Sequence, residues 1–165
     1  GIKYGVDGKH VAMSIATKVN EKIFVESIDC QSVRNGNTWI ISFLKEADIE
    51  KVVIDGSGSQ QILSDEIKDY GIKLKPVLPK VSDVVVANNM FEQAVTSSKN
   101  ICHNDQPSLK QIVTNCKRRA IGTNGGFGFK AMMEEHEIAL LDSVILAHWA
   151  CATYKGVKKK QKISC

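Results

Sequence analysis

Val52-Val53-Ile54-Asp55-Gly56-Ser57-Gly58-Ser59 is the stretch whose reading decides the fold. Four residues without polar alternation read as a strand buried on both faces. A carboxylate closes the strand, and Gly and Ser then allow a turn and a helix start. An acid at the carboxyl end of a central strand stands at the rim of an open sheet, where ligands bind. An ordinary strand-to-helix turn has the same composition, so the stretch alone leaves both roles open for Asp55. The segment is too short for a phosphate-binding loop and lacks its lysine.

Upstream, Trp39, Ile40, Phe43, Leu44 and Ala47 recur at helical spacing behind Asn37, a candidate N-cap. Before them, Ile2 to Asp7, His10 to Ala16 and Ile23 to Ile28 read as three strands joined by turns at Asp7-Gly8 and Asn20-Glu21, an antiparallel meander. Downstream, Gln60 to Tyr70 reads as a helix stopped by Gly71, and Ile72 to Val77 as a strand bounded by Pro76 and Pro79. A helix starts at Ser82-Asp83, and a polar connection runs from Asn100 to Pro107. A short helix over Ser108 to Cys116 leads into a hairpin that turns at Thr123-Asn124-Gly125-Gly126. The last helix carries Ile138, Leu141, Val144, Ile145, Ala147, His148 and Cys151. This order predicts an α/β domain: a mixed central sheet, meander plus parallel strands, flanked by helices, with a late β-hairpin. The domain is expected over residues 1–155, with 156–165 as a basic flexible tail.

Composition narrows the function classes. The 165 residues suffice for one core, with 43% hydrophobic and 24% charged residues. No apolar run reaches the ~20 residues of a membrane span. The five cysteines are odd in number, scattered and never in a C-x-x-C pair, which argues against a disulfide scaffold or zinc ribbon and for a reducing compartment rather than secretion. The net charge of +4 gathers at Lys117-Arg118-Arg119 and Lys158-Lys159-Lys160, which fits a polyanionic partner and equally fits a solubilising surface.

Three acids occupy places where chemistry needs them. Asp55 ends the buried strand, Asp7 ends the first strand at its turn, and Asp142 interrupts the apolar run of the last helix. Aspartate is rarely enclosed unless paired or metal-bound. Phosphodiester cleavage by two divalent ions needs such carboxylates to converge, and Mg²⁺ or Mn²⁺ prefers oxygen ligands. Each acid also has a bland reading: a hairpin turn for Asp7, a solvated helix edge for Asp142. Other polar residues favour the bland reading: Glu26 on a solvent face, His103 beside Asp105 in a polar loop, His148 as a core histidine. Lys117, Arg118 and Arg119, with Lys130 on the return strand, are the candidate DNA-backbone contacts; a charge-guarded edge strand is the alternative.

The strings Ile2-Lys3-Tyr4-Gly5-Val6-Asp7-Gly8, Ser32-Val33-Arg34-Asn35-Gly36-Asn37-Thr38-Trp39-Ile40 and Val53-Ile54-Asp55-Gly56-Ser57-Gly58 resemble the C-terminal nuclease domain of tailed-phage terminase large subunits. So do His103 to Leu109, Arg118 to Gly128 and Leu141 to Ala147, in the same order along nearly the whole chain. The resemblance implies an RNase H-like fold and a metal-dependent endonuclease, in the cytoplasm of an infected bacterial host, that cuts concatemeric double-stranded DNA during packaging. It implies two metal ions, Mg²⁺ or Mn²⁺, held by acids on the first strand, the fourth strand and the last helix. Asp55 and Asp142 match the latter two; Asp7 lies at the turn, whereas the family carries its acid within strand one. It also implies an N-terminal packaging ATPase, a portal and a small terminase subunit as partners. No G-x-x-x-x-G-K-[ST] occurs in the chain, so the expectation is an excised nuclease domain, Gly1 being its cut start. The alternatives are another RNase H-like nuclease, resolvase- or transposase-like, and a catalytically weak DNA-binding or assembly module.

Overall fold

The computed structural model describes residues 1–133 and 136–155; the expected basic tail, residues 156–165, lies outside them. Three antiparallel strands open the chain: β1 (Ile2–Tyr4), β2 (His10–Val19) and β3 (Lys22–Ser32). A single 3-10 turn over Val33–Asn35 leads to α1 (Thr38–Glu46), then β4 (Ile54–Asp55), α2 (Ser59–Asp69) and α3 (Val81–Thr96). The chain continues with β5 (Ile101–His103), α4 (Pro107–Thr114), the hairpin β6 (Cys116–Ile121) and β7 (Gly126–Ala131), and α5 (Ala139–Thr153). The main sheet has five strands in the order β4-β1-β2-β3-β5, with β4 parallel to β1 and β5 parallel to β3. The domain is therefore α/β with a mixed sheet, and the β6–β7 hairpin is a separate two-stranded sheet.

Two expected elements shrink, for local reasons. The stretch from Val52 to Asp55 pairs as a strand only at Ile54–Asp55, and the expected Ile72–Val77 strand contributes one parallel bridge, Val53 to Val77. Pro76 has no N–H to give a ladder, which confines pairing to the residue after it. The bridge still carries the sheet past β4: Val77 N–H donates to the Val52 carbonyl at 2.8 Å, and Ile54 N–H donates to the Val77 carbonyl at 3.0 Å. Strand β5 lies inside the expected polar connection, because three residues flanked by Asn100 and Asn104 carry no alternation to detect. Asn37 stands at the start of α1 but its side chain does not cap the helix. Its amide instead accepts from the Tyr4 hydroxyl and donates to Glu66, both at 2.8 Å, tying β1, α1 and α2 together.

The pleat sorts the sheet into two faces. Ile2, Tyr4, Val11, Met13 and Ile54 pack against α1 and α2. The alternate residues face α5: Ala12, Ile23 and Val25 lie with Leu141, Val144 and Ile145, and Val53 lies with Leu146 and Ala150. Lys3 and Asp55 take their places in this second face, since they alternate with Ile2, Tyr4 and Ile54. Helix α5 is apolar on almost every side, as expected of a helix enclosed in the middle of a domain. A buried hydrogen bond between the Ser14 and Ser143 hydroxyls, 2.6 Å long, sets its position on β2. Among the described residues, no helix is long and apolar enough to cross a membrane.

Gly56, just past Asp55, has φ +144°, and a Cβ there would lie 2.5 Å from the Tyr4 Cβ. Backbone strain and the clash with β1 act together, so Gly56→Ala is expected to cost about 2–4 kcal/mol, read from the midpoint of urea unfolding followed by circular dichroism.

Candidate active site

Lys3 and Asp55 are direct neighbours in the parallel β1–β4 ladder. Both side chains emerge on the α5 face, where the Lys3 Nζ lies 2.5 Å from the Asp55 Oδ2. Asp142, in the first turn of α5, comes down onto the same place. The three line one cavity of about 240 Å³ with Arg119, Asn88 and an apolar wall from α3 and α5. Asp55 and Asp142, which lie far apart in sequence, thus share one cavity. The residue at the strand-one position beside them is a lysine.

The two carboxyls differ in surroundings. Asp55 is tied to an ammonium, whereas Asp142 makes no side-chain hydrogen bond among the described residues. Desolvation raises the Asp142 pKa to about 6, opposed by the charges of Lys3 and Arg119 and reinforced by Asp55 and Glu137.

Asp7 belongs to a second cluster. The turn after β1 folds its carboxylate back over Gly5, where it meets His10 at the start of β2 and Glu137 just before α5. One ligand atom from each of Asp7, His10 and Glu137 lies within 4.8 Å of the others. Gly5 leaves the room for this: a Cβ there would sit 3.0 Å from Asp7 Oδ1 and 3.2 Å from Glu137 Oε1. The His10 Nδ1 is buried and 2.8 Å from Glu137 Oε2, yet the two lack hydrogen-bond geometry. An imidazole nitrogen and a carboxylate oxygen this close suit an ion pair with each other when the ring is protonated, or a shared cation. Two carboxylates and one imidazole match a divalent ion that accepts mixed oxygen and nitrogen ligands, Mn²⁺ better than Mg²⁺. Glu137 Oε1 also accepts from Ala139 N–H at 3.1 Å, so the start of α5 holds this carboxylate in place.

Comparisons with protein-family models, with characterised proteins and with solved structures find no match to this chain. The geometry of the two clusters therefore carries the functional reading.

The two clusters are adjacent along β1: Lys3 marks one and Gly5, two residues on, marks the other. Glu137 gives no signal in the sequence, because an acid just before a helix reads as a capping residue. His10 gives none either, as the first residue of an ordinary strand. The one usable signal is the Asp7-x-x-His10 spacing across a tight turn, which places both side chains at one end of a hairpin.

The basic hairpin flanks the cavity. In the β6–β7 register Lys117 lies opposite Lys130, Arg118 opposite Phe129 and Arg119 opposite Gly128. Lys117, Lys130 and Arg119 therefore share one face. Arg119 sits at the cavity wall with its Nε donating to the Phe129 carbonyl at 3.2 Å. Lys117 and Lys130 continue that face into solvent as an exposed like-charged pair, an arrangement that is unfavourable without an anionic partner. Arg118 is on the other face, paired with Glu92 of α3 and stacked over Phe127, with 4.3 Å to the ring centroid. Of the other candidates, Glu26 is exposed, as expected. His103 ends β5, with its Nδ1 accepting from Asp105 N–H at 3.0 Å. His148 is buried edge-on to Phe91, its pKa lowered by desolvation and its Nδ1 without a partner among the described residues.

The raised Asp142 pKa has a thermodynamic consequence. The folded state holds the proton more tightly than the unfolded chain, so ionisation costs stability. That cost is absent below the ordinary value of 3.8, grows as pH rises, and is complete above about 6. Asp142→Asn is expected to be more stable than the wild type at pH 7.5 by on the order of 1–3 kcal/mol, with the advantage vanishing near pH 4. Thermal unfolding across that pH range measures it.

Proposed function

We propose that the chain is a metal-dependent DNA endonuclease of RNase H-like architecture, and that it does the work its motif order suggests, cutting concatemeric double-stranded DNA as the nuclease domain of a packaging terminase. The convergence of Asp7, His10 and Glu137 beside the Asp55–Asp142 cavity carries this reading. The strand order supports the RNase H-like assignment: an antiparallel meander, then a strand parallel to the first that ends in an acid. The basic face of the hairpin supports a nucleic-acid substrate.

A Mn²⁺ or Mg²⁺ ion held by Asp7, His10 and Glu137 would polarise a phosphodiester oxygen and acidify a water molecule. The chain supplies the rest. Asp142 has a carboxylate without hydrogen-bond partners among the described residues and a pKa close to working pH, the property of an efficient general base. It takes a proton from the attacking water as the new P–O bond forms; the bond to the sugar oxygen breaks, and that oxygen leaves as a hydroxyl with a proton from solvent. Asp55 fixes the Lys3 side chain, and Lys117 and Lys130 hold the DNA backbone beyond the cavity.

Nicking of supercoiled plasmid in Mn²⁺ tests the reading. Asp142→Asn is expected to lose activity by about 10²–10⁴-fold despite its gain in stability, a split that a purely structural residue would not show. The wild-type rate should fall below about pH 6, where Asp142 takes up its proton. Asp7→Ala and Glu137→Gln should lose both cleavage and Mn²⁺ binding. Asp142→Asn cutting as fast as the wild type would refute the base assignment.

One observation favours a second reading. Lys3 pairs with Asp55 on the first strand, where the resemblance implies an acid, as in a module that binds DNA without cutting it. Salt-dependent DNA retardation with no cleavage in either Mg²⁺ or Mn²⁺ would establish that reading. Under both readings Lys117→Glu with Lys130→Glu should weaken retardation and reduce its salt slope by roughly 2, about 0.9 for each phosphate no longer neutralised.

A further inference from the structure

We propose that the Lys3 ammonium is the second cation of this centre: the chain holds one divalent ion and uses a lysine where two-ion phosphodiesterases use another metal. The inference rests on the endonuclease reading and deepens it. Hydrolysis of a phosphodiester with two cations needs one at each side of the reacting phosphate. The Asp7–His10–Glu137 cluster provides for one. In the neighbouring cavity the other cation is already covalently part of the chain.

Charge balance separates the two places. Asp7 and Glu137 bring two carboxylates together beside His10, and the cation nearest them, Lys9, reaches Asp7 only from the exposed side at 3.8 Å. In the cavity, Asp55 and Asp142 are matched by Lys3 and Arg119, so no net negative charge remains there to hold a second ion. Asp55 has its Oδ2 against the ammonium.

Donor geometry supports the role. An ammonium has three N–H donors. Among the described residues only Asp55 accepts from Lys3. The side chain is 12% exposed and lines the cavity. The two remaining donors suit the non-bridging oxygens of a phosphodiester, with Arg119 at the wall as a second positive group. Asn88 adds an independent sign of a polar ligand. It is 2% exposed and lines the same cavity, and its Nδ2 donates to the Val84 carbonyl while its Oδ1 has no partner among the described residues. A water molecule brought in with the phosphate would satisfy that acceptor. Lys3 makes and breaks no covalent bond; it binds oxygen as charge builds there.

Calorimetric titration with Mn²⁺ alone gives the first test, on the unmodified protein. One ion per chain is expected, lost in Glu137→Gln; two ions per wild-type chain would overturn the proposal. Lys3→Asp, which replaces the ammonium with an acid, is expected to bind a second Mn²⁺. Lys3→Met should still bind one Mn²⁺ within threefold of wild-type affinity, yet cleave plasmid at least 100-fold more slowly at saturating DNA. Lys3→Arg, which keeps the charge, should recover part of that loss. If Lys3→Met is folded by circular dichroism and cleaves like the wild type, the lysine has no such role, while the endonuclease reading stands. If the wild type never cleaves but binds one Mn²⁺, and Lys3→Met lowers the salt slope of DNA retardation by about 0.9, the endonuclease reading falls and phosphate binding by Lys3 survives.

Discussion

The seating of α5 on the sheet is the constraint on which the site depends. Apolar residues on nearly every side of the helix are buried, and the Ser14–Ser143 hydrogen bond stops it sliding along β2. With that register set, Asp142 meets the β1–β4 pair, and Glu137, just before the helix, meets His10 at the start of β2. A helix positioned by shape-filling contacts holds its neighbours to within fractions of an ångström, because packed interiors do not deform continuously. The enclosed helix therefore locates two clusters of charge at once.

Those clusters differ in charge. The turn cluster gathers two carboxylates and an imidazole around the space left by Gly5. Its nearest cation among the described residues is Lys9, 3.8 Å from Asp7 on the exposed side. The cavity cluster is balanced internally by Lys3 and Arg119. Under the proposed function, the first would take a divalent ion and the ammonium of the second an anionic substrate group. Enclosing Asp142 costs stability in the ionised state, as functional carboxyls generally do. Its α5 surroundings offset that cost with apolar burial.

The hairpin extends the site outward. Alternation puts Arg119 at the cavity and Lys117 and Lys130 beyond it on one face, while Arg118 turns back to Glu92 and anchors the hairpin to α3. Three consecutive basic residues thus take two different roles. A linear basic string cannot show this, because a strand sends neighbours to opposite faces and the partner strand decides which face is covered.

Much of the fold is legible in the chain, since it rests on local periodicity. The meander, helices α1 to α5, the late hairpin and the buried strand closing in Asp55 all follow from apolar spacing and turn residues. Strand β5 and the single bridge at Val77 are not legible, because only a few residues pair there and proline removes a donor. Of the site, the sequence alone determined that Asp55 ends a buried strand and that Asp142 interrupts an apolar helix; it placed that strand at the centre of the sheet, whereas β4 is the end strand of the five. The tertiary structure decided which charges meet. It set Lys3 against Asp55 across a parallel pairing of residues 52 apart, and it drew Asp7 away to His10 and Glu137. Parallel register is set by how a crossover helix packs, and a carboxylate's partner by which side chains the packing brings within reach. Neither quantity is written in the spacing of residues along one strand.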